Sequence, residues 1–308
     1  MQNKLPLPSF FVVGAGKSGT TSIHQYLRQN PMVSLPLRKE THFFIMDKDS
    51  ALPAPQNYFG KEMENPIFHL KDYLAEFQNQ GHGHIVGEVC PSYLFYPNAA
   101  SNINARVPNA KIIAILRNPI DRFYSNFQFR SNKDQQAKDN RQDFTTQDLD
   151  RITAALPYPS SPEVKRLLEI GMYSGQLQRY YDQFPSDNIK VFLFDDLQKT
   201  PRKLMNELSE FAGIPPFEYD VSMVFNRSGS IRAFWFYKTF RGSKFSKMVQ
   251  KATPPLLYQR IRVAAERLVF AQANRMSTQS RNQLREYYRD EIHTLQTMLG
   301  RDLGDWLV

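Results

Sequence analysis

The sequence predicts an α/β fold in which a central parallel β-sheet is flanked by helices. Four apolar runs are continuous rather than alternating, which is typical of strands that are covered on both faces. These runs lie at residues 10–13, 84–86 with Val89, 111–116 and 189–194. Helical patterns lie between them, at residues 20–28, 67–77, 98–107, 120–129 and 164–184. Strands and helices therefore alternate, which predicts right-handed crossovers.

The rest of the chain is assigned by composition. Residues 131–161 are polar and end in prolines, which predicts an insertion, and two further helices are expected at residues 259–273 and 277–299. No shift in composition marks a domain boundary. We therefore expect a single domain over residues 1–308 that carries this insertion.

Composition limits the function without deciding it. The chain has 308 residues, of which 41% are hydrophobic, so global disorder is not expected. The net charge of +9 favours an anionic ligand, although ordinary surface lysines and arginines explain it equally well. The one cysteine, Cys90, excludes an intrachain disulfide and fits a reducing compartment.

The sequence gives two indications of location. No apolar run approaches the roughly 20 residues that a membrane-spanning helix needs. Residues 1–8 reach the first predicted strand without the apolar core of a signal peptide. We therefore expect a cytoplasmic enzyme.

The first strand leads into the most informative segment, a glycine-rich turn at residues 14–22 that precedes a predicted helix. The turn carries one lysine and four hydroxyl groups, on Ser18, Thr20, Thr21 and Ser22. Backbone N–H groups at such a turn and at the helix N-terminus form a cradle for anions. The pattern predicts a phosphate-bearing ligand, and a glycine turn that only joins strand to helix is the alternative.

A Walker A loop is a second interpretation of the same turn. That motif requires a glycine five residues before Gly16, and position 11 is Phe. Asp195 and Asp196 follow the strand at residues 189–194 and resemble a Walker B strand end. A kinase-like phosphotransferase therefore stays open as an alternative function.

A second anion site is predicted at the end of the third apolar run. Arg117 follows the strand at residues 111–116, at the edge of the sheet where ligands bind in open α/β folds. Its planar guanidinium suits phosphate oxygens, and Ser125 falls about two helical turns further on. The alternative is that Arg117 pairs with Asp121 at the start of the helix.

These two segments together resemble a known family. The pattern Gly14-x-Gly16-Lys17-x-Gly19-Thr20-Thr21 and the pattern Arg117-x-Pro-x-x-Arg-x-Tyr-Ser125 are similar to the two phosphate sites of sulfotransferases. These enzymes use 3′-phosphoadenosine 5′-phosphosulfate (PAPS) as cosubstrate. The resemblance implies a P-loop-like nucleotide-binding sulfotransferase fold. It also implies a 3′-phosphate site at Arg117 and Ser125, and a 5′-phosphosulfate site at Gly16, Lys17, Ser18, Gly19, Thr20, Thr21 and Ser22.

The segment Lys39-Glu40-Thr41-His42-Phe43-Phe44 resembles heparan-type and related carbohydrate sulfotransferases. The resemblance implies that Glu40 is the catalytic base. Lys17 would stabilise the sulfonate and the bridging oxygen, and His42 would orient Glu40 or the acceptor. Without the resemblance, Glu40 is explained by a surface ion pair with Arg38 or Lys39, and His42 by a partly buried histidine.

Two further segments are similar to the family. Residues 226–232 stand where the family closes a second loop over the nucleotide, which implies contacts from Arg227, Ser228, Gly229 and Arg232; a simple basic turn is the alternative. At the end of the second strand, Glu88 begins a pattern Glu-x-x-Pro-x-Tyr. Some glycan sulfotransferases carry Lys and Thr where this chain has Val89 and Cys90, and an acid where it has Ile45, and these departures argue against a heparan acceptor.

Partners are less well defined by the sequence. The acceptor could be a glycan, a lipid or a small molecule, with a hydroxyl or an amine as the target, and the oligomeric state is open. Residues 234–251, basic and aromatic, either contact an anionic membrane peripherally or pack as a helix with a solvated basic face. A non-catalytic basic binding module is the competing class. No metal is expected, because the six histidines lack ligand spacing, and no nucleic-acid partner beyond the donor nucleotide is expected.

Overall fold

The computed structural model describes residues 7–46, 65–77, 84–137, 149–159, 161–222 and 276–308, with side chains omitted at 132–137. Five strands form one sheet in the order β2-β3-β1-β4-β5, and every pairing is parallel. The strands are β1 (Phe10–Gly14), β2 (Val33–Ser34), β3 (Ile85–Val89), β4 (Lys111–Leu116) and β5 (Ile189–Leu193). The predicted α/β fold with a parallel sheet is confirmed.

The helices of the described residues follow the strands in the alternation that the sequence predicts. They are α1 (Thr20–Leu27), α2 (Phe43–Met46), α3 (Leu70–Ala75), α4 (Ala99–Arg106), α5 (Pro119–Ala137), α6 (Leu149–Ala154), α7 (Pro162–Glu169), α8 (Tyr173–Tyr181), α9 (Phe194–Lys199), α10 (Pro201–Phe211) and α11 (Thr278–Leu299).

One helical prediction is wrong in a way that side-chain packing explains. The pattern at residues 164–184 forms two helices, α7 and α8, rather than one. Gly171 lies at the break, where a Cβ would come within 2.8 Å of the Tyr288 hydroxyl. That hydroxyl donates to the Leu168 carbonyl at 2.8 Å, so a residue on α11 terminates α7.

The end of β5 also differs from the prediction. Phe194 begins α9 instead of ending the strand, and α10 follows directly with Pro201 in its first turn. Leu204, Met205 and Leu208 on α10 are buried. Proline at the first position of a helix costs no hydrogen bond, which makes Pro201 a start signal.

The described residues belong to two compact units. The first comprises Met1–Arg122, Leu168–Ser222 and Tyr288–Val308 and contains the sheet, whose strands β1 and β4 are almost entirely buried. The second comprises Phe123–Leu167 and Met223–Tyr287. The single domain and the insertion at 131–161 stay predictions.

Candidate active site

The predicted phosphate loop connects β1 to α1. The Ala15 N–H donates to the carbonyl of Ile115 on β4 at 2.8 Å, and the Ser18 N–H donates to the Ala15 carbonyl at 3.2 Å. The turn is therefore fixed to the central strands at one end and begins a helix at the other. This is the strand–turn–helix geometry that binds anions.

Gly19 is required by the shape of this loop. Its φ of 83° lies in the left-handed region, and a Cβ there would come within 2.5 Å of Leu197 Cδ2. Glycine adopts this conformation at no steric cost. The glycine therefore allows the loop to pack against α9 and then turn into α1.

The residues of the loop suit a phosphosulfate group. The Ser18 hydroxyl is buried and has no hydrogen-bond partner among the described residues. Thr20, Thr21 and Ser22 form the first turn of α1, where the helix dipole favours negative charge. A buried hydroxyl with unused donor capacity beside a helix N-terminus is what an anionic ligand would satisfy.

Arg117 lies against this loop, as its place at the end of β4 predicts. Its Nη1 donates to the Lys17 carbonyl at 3.2 Å, and its guanidinium lies 4.9 Å from the centre of the Phe194 ring. Tyr173 donates to the Arg117 carbonyl at 2.9 Å. Burial lowers the pKa of Arg117, and the neighbouring Asp121 opposes that effect. Arg117 therefore lies beside the loop as well as near Asp121.

Ser125 belongs to the second unit, where it is a buried residue of α5. Its role beside Arg117 stays a prediction from the sequence pattern.

The predicted base lies in the segment that precedes α2. The Lys39 ammonium is 2.6 Å from Glu40 Oε1 and 3.1 Å from the Thr21 hydroxyl. The surface ion pair considered for Glu40 does form with Lys39, while Arg38 pairs with Glu76. Because Thr21 belongs to the first turn of α1, Lys39 joins Glu40 to the phosphate loop.

His42 is buried close to the end of β3. Its Nδ1 lies 2.8 Å from the Ser92 hydroxyl and 3.6 Å from Cys90 Sγ. Burial, followed by the nearby Glu88 and Glu40 carboxylates, raises the pKa of the Cys90 thiol well above its usual range. Cys90 therefore stays protonated and packs beside His42 rather than acting as a nucleophile.

Sequence reasoning missed a cluster beneath this segment. Glu88 on β3 is fully buried and accepts hydrogen bonds from Thr41, Tyr73 and Tyr93. The sequence signal was present in the pattern Glu-x-x-Pro-x-Tyr, but the pattern does not show which distant hydroxyl groups meet the carboxylate.

A comparison with protein families decides the family. Residues 7–296 match the model of the sulfotransferase domain. This chain belongs to the sulfotransferase family.

The relatives of this sulfotransferase domain agree with that assignment. It is 26% identical to the bifunctional heparan sulfate N-deacetylase/N-sulfotransferase 3 of Mus musculus over 98% of this chain and 31% of the mouse protein. It is 32% identical to the membrane-associated sulfotransferase kil1 of Dictyostelium discoideum over 41% of this chain and 23% of that protein. The chain spans less than a third of the length of the curated relatives it matches.

A solved structure has the same fold. The crystal structure of a sulfotransferase from Alicyclobacillus acidocaldarius is 25% identical, with a TM-score of 0.66 over 98% of this chain and 99% of that one. The predicted sulfotransferase fold and the predicted sulfotransferase family are therefore confirmed.

The two Walker B-like aspartates of this sulfotransferase have structural partners. Asp196 accepts from the Leu193 N–H at 3.2 Å and pairs with Arg301 at 2.8 Å. Asp195 accepts from the indole of Trp306 at 3.3 Å. Both carboxylates hold the C-terminal segment of the chain, through Arg301 and Trp306, and these contacts explain the two aspartates without a Walker B role.

Several predictions lie outside the described residues. They concern the second nucleotide loop with Arg227, Ser228, Gly229 and Arg232, the basic aromatic stretch at 234–251 and the helix at 259–273. Within the part that is described, the sulfotransferase has no helix with both the length and the apolarity that crossing a membrane requires.

Proposed function

We propose that this chain transfers the sulfuryl group of PAPS to a carbohydrate hydroxyl or amine, with Glu40 as the catalytic base. The observation that carries the proposal is the contact of Lys39 with both Glu40 and Thr21. It connects a carboxylate that can take a proton to the loop that suits a phosphosulfate. Catalysis of this kind depends mainly on positioning and on charge.

The donor would lie across the carboxyl ends of the strands. The 5′-phosphosulfate would be held by Gly16, Lys17, Ser18, Gly19, Thr20, Thr21 and Ser22. Arg117 would hold the 3′-phosphate. The buried Ser18 hydroxyl and the place of Arg117 beside Lys17 support this arrangement.

The chemical step is an in-line displacement at sulfur. The acceptor oxygen or nitrogen forms a bond to sulfur, while the bond from sulfur to the bridging oxygen breaks. The electron pair of that bond leaves with adenosine 3′,5′-bisphosphate (PAP), and the acceptor proton passes to Glu40. Lys17 stabilises the bridging oxygen, and Lys39, already beside Thr21, supplies a second cation for the sulfonate.

The acceptor is proposed to be a carbohydrate with less negative charge than heparan sulfate. The mouse relative is named for N-sulfotransferase activity on heparan sulfate, which supports a carbohydrate. Val89 and Ile45 are buried and uncharged, at positions where some glycan sulfotransferases carry a lysine and an acid. The described part of the site therefore lacks that cation and that acid.

A mass-detected screen with PAPS tests the proposal. The panel contains chitosan oligosaccharides, neutral oligosaccharides and N-desulfated heparan fragments. We expect the neutral or the amine-bearing oligosaccharides to gain one sulfuryl group. Calorimetry with PAP serves as the binding control. Folded protein that binds PAP but sulfates only the heparan fragments would contradict the acceptor class, and absence of PAP binding would contradict the donor site.

A further inference from the structure

The segment that carries the proposed base has an unusual backbone. Glu40 has a φ of 64° and His42 a φ of 57°, and neither residue is glycine. Residues with side chains rarely adopt this left-handed region, and they do so when the surrounding structure imposes it. Two such residues separated by one position call for a strong anchor between them.

That anchor is Thr41, the residue between the two. Its hydroxyl donates to Glu88 Oε1 at 2.5 Å and accepts from the Phe43 N–H at 3.2 Å. Its carbonyl accepts from the Ile67 N–H at 3.0 Å. Thr41 is fully buried, so both ends of the residue are held inside the protein.

The group that holds the Thr41 hydroxyl is a carboxylate on a central strand. Glu88 accepts a second hydrogen bond at Oε1 from Tyr93 at 2.9 Å, and one at Oε2 from Tyr73 at 2.7 Å. Burial raises the pKa of Glu88, and the hydrogen bonds from Thr41, Tyr73 and Tyr93 act in the opposite direction. Burying a carboxylate is costly even when it is well bonded, so stability alone does not explain its presence on β3.

The aromatic partners of Glu88 continue into the same segment. The Tyr73 ring stacks on Phe43 with centroids 4.4 Å apart, and the Tyr93 hydroxyl accepts from the Phe44 N–H at 3.4 Å. The carboxylate therefore contacts, directly or through one tyrosine, each residue from Thr41 to Phe44 except His42. His42 is held from the other side by Ser92.

We propose that Glu88 is a positioning residue for sulfuryl transfer, which acts through Thr41 to hold Glu40 and His42 in their left-handed backbone conformations. In this role Glu88 neither takes the proton of the sulfuryl acceptor nor contacts PAPS. Its effect is on the geometry of the base. The inference rests on the proposed role of Glu40.

The test removes the Thr41 hydroxyl while keeping the shape of the side chain. Thr41→Val is expected to lower kcat about 10- to 100-fold, because small errors in the position of a catalytic group are costly. The KM for PAPS and the Kd for PAP are expected to stay unchanged. Turnover is measured as PAPS hydrolysis to PAP and sulfate, with water as the acceptor. Thr41→Ser restores the hydroxyl and is expected to restore kcat.

Two comparisons separate positioning from a general loss of structure. Ser209→Ala removes another buried hydroxyl, which bonds to the Tyr219 hydroxyl and belongs to no proposed site, and it is expected to lower Tm without lowering kcat. Glu88→Gln, checked for folding by circular dichroism, is expected to match Thr41→Val in kcat. The positioning role is overturned if Thr41→Val keeps its kcat, if Thr41→Ser is as slow as Thr41→Val, or if Ser209→Ala loses kcat in proportion to Tm.

Glu40→Gln, measured in the same assay, keeps the two proposals apart. If Glu40→Gln keeps near-native activity, Glu40 is not the base, and the effect of Thr41→Val is then interpreted without reference to Glu40. An inactive Glu40→Gln enzyme beside an unimpaired Thr41→Val enzyme supports the base and overturns the role of Glu88.

Discussion

The phosphate loop at residues 14–22 leads into α1, the Glu40 segment at residues 39–46 follows that helix in the chain, and the two obtain their shapes in different ways. The loop obtains its turn from its own sequence, through Gly19 and the start of the helix, and contacts with Ile115 and Arg117 hold it in place. The Glu40 segment is shaped by residues about fifty positions later in the chain, chiefly Glu88 and Ser92.

The difference follows from the role that we propose for each segment, which is to bind a phosphate or to place a base. A phosphate is recognised by backbone N–H groups, so a loop with the right turns is sufficient. A general base needs a side chain at a fixed place, and a loop cannot fix a side chain without support from neighbouring elements. The phosphate loop therefore obtains its turn locally, whereas the segment of the proposed base is held in its conformation by several distant elements.

The largest effect is expected from Glu40→Gln, which separates the two halves. The variant loses the carboxylate that is proposed to take the acceptor proton, so kcat is expected to fall about 10²- to 10⁴-fold. The Kd for PAP is expected to stay close to that of the wild type, because the phosphate loop is intact. Steady-state kinetics and calorimetry measure the two quantities.

The control for Glu40→Gln is the carboxylate of Glu76, which pairs with Arg38, the residue before Lys39. Glu76→Gln removes the partner of Arg38 at the edge of the same segment. Little change in kcat is expected, since Arg38 has no assigned role. Equal losses in the two variants would show that charge near the segment matters and that Glu40 is not the base.

His24 provides a pH-dependent link between the halves, because it lies on α1 and is influenced by Lys39 of the Glu40 segment. Burial, then the charges of Lys39 and Arg28, lowers the pKa of His24 from 6.5 to about 4. Between pH 6.5 and 4, His24 binds a proton in the unfolded chain but not in the folded chain. Stability is therefore expected to fall by about 3 kcal/mol between pH 6.5 and 4 and to level off below.

Urea unfolding across that range measures the effect, with His24→Leu as the reference. The pH dependence attributable to His24 is the difference between the two proteins. Lys39→Met is expected to reduce this dependence, because one of the charges that disfavour protonation is gone. A wild-type protein whose stability follows that of His24→Leu at every pH would refute the assignment.

Gly19→Ala tests the local character of the phosphate loop. Alanine at a left-handed position costs about 1–2 kcal/mol, and the contact of its Cβ with Leu197 adds to that cost. The free energy of unfolding is expected to fall by at least this amount, and PAP is expected to bind more weakly. Gly16→Ala is the matched control for stability, because a Cβ there meets nothing within 4 Å. An equal loss in both variants would mean that the conformation of Gly19 is not what shapes the loop.

The same division explains how much the sequence predicts. The parallel sheet, the phosphate loop and Arg117 follow from short patterns, since apolar runs and glycines act on their own neighbourhood. The short strand β2 and the helix α9 have weak local signals. Likewise, Tyr73 and Ser92 acquire their roles only when the fold brings them to Glu88 and His42, and one sequence does not contain that proximity.

The smallest effect is expected from Ser92, which holds the imidazole of the Glu40 segment. Its hydroxyl is the closer partner of His42 Nδ1, at 2.8 Å against 3.6 Å for Cys90 Sγ. Losing one hydrogen bond of about 1 kcal/mol in Ser92→Ala is expected to lower kcat about fivefold, with unchanged PAP binding. Cys90→Ala removes the weaker contact and is expected to lower kcat less, although Cys90 is the more deeply buried of the two residues. A larger loss in Cys90→Ala would show that the thiol, rather than Ser92, orients His42, and that this half of the site is supported differently from the geometry described above.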